Sequence, residues 1–122
     1  MGQSASQAHA FYSDVAKTGK VWTIRDECGF PAPLKSDGSR AQPFWSSLSR
    51  VEKIIKTVPA YTSFQPVELT WVVFRDRWLP GLEKDGILVG VNWSGKNAVG
   101  YDLESRSVKA AVEAQIELQK NA

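Results

Sequence analysis

Histidine and cysteine are almost missing from this chain: each occurs once in 122 residues, as His9 and Cys28. A lone cysteine closes no internal disulfide, and it fits a reducing compartment. A structural zinc ion wants four ligands, so one His and one Cys do not make a site. A serine nucleophile would depend wholly on His9 for its base, and "WSG" at 93–95 lacks the flanking glycine spacing of a nucleophile elbow. Long apolar runs are also missing. No stretch approaches the ~20 residues that span a bilayer. The start, "MGQSASQAHAFYSDV", has neither the basic region nor the apolar run of a secretion signal. The expectation is a cytoplasmic protein without a membrane partner.

Charge of one sign is scarce as well. The formal net charge is +2, from 15 basic and 13 acidic residues. Residues 17–57 carry eight Lys/Arg against four Asp/Glu, and residues 60–104 carry four against six. That mild polarity argues against nucleic acid as a partner, which calls for a denser basic stripe. One segment imitates a phosphate-binding loop: "GVNWSGKN", Gly90–Asn97, against G-x-x-x-x-G-K-[ST]. Asn97 stands where the magnesium-binding hydroxyl belongs, and "AVGYDL" after it alternates like a strand instead of opening a helix. The segment reads as a hairpin turn. No cofactor or metal motif survives, and the chain leans away from enzymatic chemistry.

Aromatic residues are what the chain has in excess: five Trp, five Phe and three Tyr. Buried rings remove roughly 150–250 Å² each from water, so they argue for a firm core. The pattern predicts a first helix with Ala8, Phe11, Tyr12 and Val15 inward, capped by Ser4 and Gln7 and ended by Gly19. Three short extended segments follow, "KVWTIRD", "FPAPL" and "AQPFW", with an Asp-Gly turn in "SDGS" before the third. A second helix, capped at Ser49 with Glu52, has Leu48, Val51, Ile54, Ile55 and Val58 as its apolar positions and shows Arg50, Lys53 and Lys56 outward. "PVELT" reads as a strand, and Thr70 caps the next helix.

That third helix holds "WVVFRDRW", residues 71–78. Helical spacing puts Trp71, Phe74 and Trp78 on one stripe, with Val72 and Leu79 beside them, and Pro80–Gly81 at the end. Arg75 falls inside the apolar sector. It must either run along the rings with its head in water or pair with a carboxylate from elsewhere. Two alternating strands follow, "ILVGVNW" and "AVGYDL", and Ser105 or Ser107 opens a last helix. The whole reads as one α+β domain over residues 1–122, ordered from about 4 to 118: a mostly antiparallel sheet of five or six strands with about four helices on one face. Ile87, Val89, Val91 and Trp93 would face those helices. Thr23, Arg25, Gly90, Asn92, Gly100 and Asp102 would form a small, polar and uncovered opposite face.

The stretches "VWTIRDECGFPAP", "RAQPFWSSLSRVEKII" and "FRDRWLPGLEKDGILVGVNW" together resemble a family of small bacterial proteins, domain of unknown function 2750. The carriers are Trp22, Asp26, Gly29, Pro43, Trp45, Phe74, Trp78, Pro80, Leu82, Gly86 and Val91, within residues 5–103. The resemblance implies a bacterial, cytoplasmic, single-domain protein and names no activity or cofactor.

Two functions stay open. The first is a non-enzymatic module that meets a protein partner, or a second copy of itself, through the polar sheet face. The second is binding of an anionic ligand or nucleic acid by a basic face that includes Arg40. An enzyme of unknown class comes third. The candidate contact residues are Arg25, Arg50, Lys53, Lys56, Arg75, Asn92 and Asp102.

Overall fold

The computed structural model describes residues 3–121, which hold four helices, five strands and a short 3₁₀ turn, Pro59–Tyr61. Helix α1 (Gln3–Thr18) buries Ala8, Phe11 and Val15. Ser4 lies inside it and not at its cap. Gly19, at φ 71°, closes the helix with a backbone bond to Val15 and turns the chain into β1 (Lys20–Arg25). The positive φ is the reason a glycine ends this helix.

β1 pairs antiparallel with β3 (Gln65–Thr70), Lys20 opposite Thr70 and Arg25 opposite Gln65. β2 (Arg40–Phe44) runs parallel to β4 (Ile87–Ser94), and β5 (Val99–Leu103) runs antiparallel to β4. The expected single, mostly antiparallel sheet of five or six strands is therefore corrected to two small sheets, β1–β3 and a mixed β2–β4–β5. "FPAPL" is no strand. Only Leu34 makes an isolated bridge, to Arg40. Its prolines have no N–H for a ladder.

The division has a local cause. Trp22 and Trp45 exchange both backbone hydrogen bonds, at 2.8 and 2.7 Å, which begins an antiparallel ladder between β1 and β2. Two residues on, the next bonded pair would be Ile24 with Pro43. Pro43 cannot donate, and its carbonyl instead accepts the hydroxyl of buried Thr23 at 2.9 Å. The ladder stops after one pair. Thr23→Val keeps the shape but leaves that buried carbonyl without this donor. The expected loss is about 1–2 kcal/mol, read as a lower melting temperature, with Thr23→Ser recovering most of it.

Helices cover both faces of the strands, not one. Val21, Phe44, Val89 and Val91 join α1, the helical run 71–84 (α3) and the last helix (α4, Ser105–Lys120) in one core cluster. Ile24, Ala41 and Trp45, of opposite parity, join helix α2 (Leu48–Thr57) through Val51 and Ile54 in the other. The N-cap of α2 is Ser47, whose side chain accepts from the Arg50 N–H, two residues before the expected Ser49. Helix α3 begins at the Thr70 cap, as expected, with Val73 N–H donating to Thr70 Oγ1 at 3.1 Å. It runs as Trp71–Val73, a π-helical stretch Phe74–Trp78 and an α-segment Leu79–Lys84. Pro80 and Gly81 do not end it. Leu79 N–H bonds back five residues to Phe74, and the wider turn puts Pro80 at the head of a new α-segment, where its missing donor costs little. Val72 is exposed, outside the stripe that buries Trp71, Phe74 and Leu79. Helix α4 (Ser105–Lys120) packs on α1.

Candidate functional site

The site grows from one extra residue in β4. The β4–β5 ladder is regular as far as Val91 opposite Tyr101, then resumes with Ser94 opposite Val99. Three steps on one strand match two on the other, so a bulge lies between, and Asn92 takes φ 49° to form it. The bulge turns Trp93 to the face opposite Val89 and Val91. There its ring covers Gly90 and Gly100: an added Cβ would lie 2.4–2.5 Å from ring atoms at Gly90 and 2.9 Å at Gly100. Asp102 accepts the indole N–H at 2.9 Å, and Lys35 places its ammonium 4.5 Å from the ring centre and 2.9 Å from Asp102. The indole N–H of Trp45 donates to the Trp93 carbonyl at 2.9 Å. The small polar face expected to lie bare is thus filled by Trp93, and Thr23 and Asn92 are buried.

Asn92 does more than bend the strand. Its Oδ1 accepts the Ser46 backbone N–H at 2.9 Å, and its Nδ2 donates to Ser46 Oγ and to the Gln7 carbonyl, each at 3.0 Å. Ser46 Oγ donates to Asp14 at 2.8 Å. Asp14 lies 4.0 Å from the Arg50 guanidinium, which also donates to the Gln7 side chain. One network therefore ties α1, the β2–α2 connection, the bulge and α2 together, and its outer end fixes Arg50. Asparagine suits the position because it tolerates left-handed backbone and offers both a donor and an acceptor.

Arg50 opens into a cleft of about 620 Å³. Gln7 forms one wall, the Arg50–Lys53–Ile54 side of α2 a second, and the hairpin from Trp93 to Lys96 a third. Arg50, Lys53 and Lys96 are its charged lining groups, and among the described residues no carboxylate lines it. Ile54 and Trp93 supply apolar surface, and Ser49 and Ser94 supply hydroxyls. A cavity of this size and mixture is typical of small-ligand sites.

The other candidate residues scatter. Lys56 is exposed on α2 but outside the cleft. Arg25 is exposed beside a separate depression of about 260 Å³ that it shares with Asp26 and Glu27. Arg40 is exposed and donates to the Ala32 carbonyl at 2.9 Å. Arg75 is partly exposed and pairs with its neighbour Asp76 through two hydrogen bonds, 2.6 and 2.9 Å, not with a distant carboxylate. Those bonds hold the Asp76 carboxyl below the usual aspartate range. The pairing is present at neutral pH and is lost as pH falls through that lowered value. Asp102 serves Trp93 and Lys35. Sequence reasoning missed Lys96 and Gln7 as lining residues. Lys96 did sit in the segment that imitates a phosphate loop, but nothing local shows that the hairpin faces α2. Among the described residues no group of three or more His, Cys, Asp or Glu could hold a metal, and no helix is long and apolar enough to cross a membrane.

Compared with known proteins, the chain has no match among curated ones. Among solved structures, a chain described as Anabaena Tic22 (protein transport) is similar at 16% identity and a TM-score of 0.39, over 73% of this chain and 46% of that one. This chain thus spans less than half of that protein's length. A family model described as Protein of unknown function (DUF2750) matches residues 8–112, from α1 through the first half of α4. The chain belongs to the DUF2750 family.

Proposed function

We propose that this protein binds a small anionic metabolite, such as an organic phosphate, in the cleft between α1, α2 and the β4–β5 hairpin. The carrying observation is that the cleft's three charged lining residues, Arg50, Lys53 and Lys96, are all cations and come from two separate elements. Charge-assisted hydrogen bonds to one anion are the strongest use of such an arrangement. Ile54 and Trp93 would pack the ligand's apolar part. A walled cleft favours a small molecule over a nucleic-acid strand, which needs an extended groove. The reading as a protein-interaction module through the polar sheet face gives way because Trp93 and Lys35 occupy that face.

Titration of the protein with adenosine monophosphate and with inorganic pyrophosphate, followed by backbone amide NMR, tests this. Saturable shifts at residues 49–57 and 93–96 are expected, weakening with added salt. Lys53 and Lys96 are exposed, so Lys53→Glu/Lys96→Glu should fold normally and bind at least about tenfold more weakly. Shifts spread evenly over all basic residues, or undiminished binding by the double variant, would overturn the proposal.

A further inference from the structure

A second cavity, of about 280 Å³, lies on the other side of the molecule, between β2, β4 and the end of α3. Its walls include Gln42, Arg77, Trp78, Leu82, Asp85 and Ile87. Gln42 is 6% exposed, and its Nε2 is buried with no hydrogen-bond partner. A buried amide without a partner is costly and rare, and it asks what would satisfy it. The amide's terminal torsion is soft and two-fold, so its NH₂ can turn to an acceptor in the adjoining cavity.

The surroundings specify the acceptor. Arg77 is a cation that projects from the π-helical stretch, where the wider turn lets consecutive Arg77 and Trp78 both reach the cavity. Together with the Gln42 amide it matches a carboxylate. Asp85, on the same rim, matches an ammonium group. Trp78, Leu82 and Ile87 offer an apolar wall, and Trp78 is held rigidly by ring contacts to Phe44 at 5.9 Å and Phe30 at 4.8 Å. A carboxylate, an ammonium and a short apolar body on one small molecule describe one chemical class. We propose that this cavity binds a free apolar α-amino acid, its carboxylate on Gln42 and Arg77, its ammonium on Asp85 and its side chain against Trp78. The site is independent of the basic cleft.

The test titrates the whole protein with L-leucine and follows the Gln42 side-chain NH₂ and Trp78 indole N–H signals. Saturable shifts of both are expected. 4-Methylpentanoate, which lacks the ammonium, and 3-methylbutylamine, which lacks the carboxylate, should each bind at least about tenfold more weakly. No saturable shift up to about 10 mM leucine, or equal binding by either half-ligand, would overturn the proposal. Gln42→Met removes the amide at similar volume. It should leave the empty protein as stable or more so while weakening leucine binding about tenfold or more. Retained affinity would overturn the proposal. So would a clear loss of stability, because it would mean the amide already had a partner. Arg77 is exposed, so Arg77→Ala should fold normally and lose affinity to a similar degree, and unchanged affinity there also counts against the site.

Discussion

Asn92→Ala is expected to destabilise the protein by about 4 kcal/mol, a large part of the roughly 5–15 kcal/mol that holds a domain folded. Two costs add. An alanine at φ 49° pays about 1–2 kcal/mol for left-handed backbone. Losing the side chain leaves the Ser46 N–H buried without its acceptor, about 1–3 kcal/mol more. Asn92→Gly separates them, since glycine adopts this backbone freely. It should recover about 1–2 kcal/mol of the loss in urea unfolding and no more. Both variants also free Ser46 and Asp14 from their fixed positions. Affinity in the basic cleft should therefore fall even in the fraction that stays folded, because Arg50 loses its brace. A glycine variant as stable as the parent would show that the network carries no energy.

Gly90→Ala should cost about 3 kcal/mol, at the upper end for overpacking by one methyl group. The new Cβ would meet the Trp93 ring at 2.4–2.5 Å, a separation that real Cβ atoms essentially never show. The ring cannot retreat cheaply: it is 2% exposed, bonded to Asp102 and held beneath Lys35. Calorimetry should show the loss, and tryptophan fluorescence should change with it. Gly81→Ala is the internal control. Nothing lies within 4 Å of a Cβ there, and the site is helical, so the same chemical change should stabilise by about 0.5–1 kcal/mol. Similar effects at both glycines would mean that Trp93 does not sit as described.

What could be read from the sequence followed local physics. The apolar stripe of α1, the Thr70 cap, the hairpin read at residues 94–97 and found at 95–98, and the outward basic side of α2 depend on residues a few positions apart, and the structure has them all. What could not be read depends on a single residue overriding a period, or on distant partners. Strict alternation put Trp93 with Val89 and Val91, and one left-handed Asn92 reversed it. Steady 100° steps put Arg75 among the rings, and the π-helical stretch moved it out to Asp76. "AQPFW" read only as a short extended segment, and the pairing of Trp22 with Trp45 shows that the edge set by Pro43 runs through the middle of the strand array. The basic cleft was half visible. Arg50 and Lys53 stood out on α2, but Lys96 reaches them only because β2 and β4 are neighbours across a long crossover.

That interrupted ladder also bears on how the two sheets are joined. β1 and β2 are sewn together by one stitch, and α2, which carries Arg50 and Lys53, lies across the seam in contact with β1, β3 and β4. The Thr23 hydroxyl bond to the Pro43 carbonyl adds a side-chain tie beside that pair. The two sheets therefore meet through few hydrogen bonds directly under the helix that sets the mouth of the basic cleft.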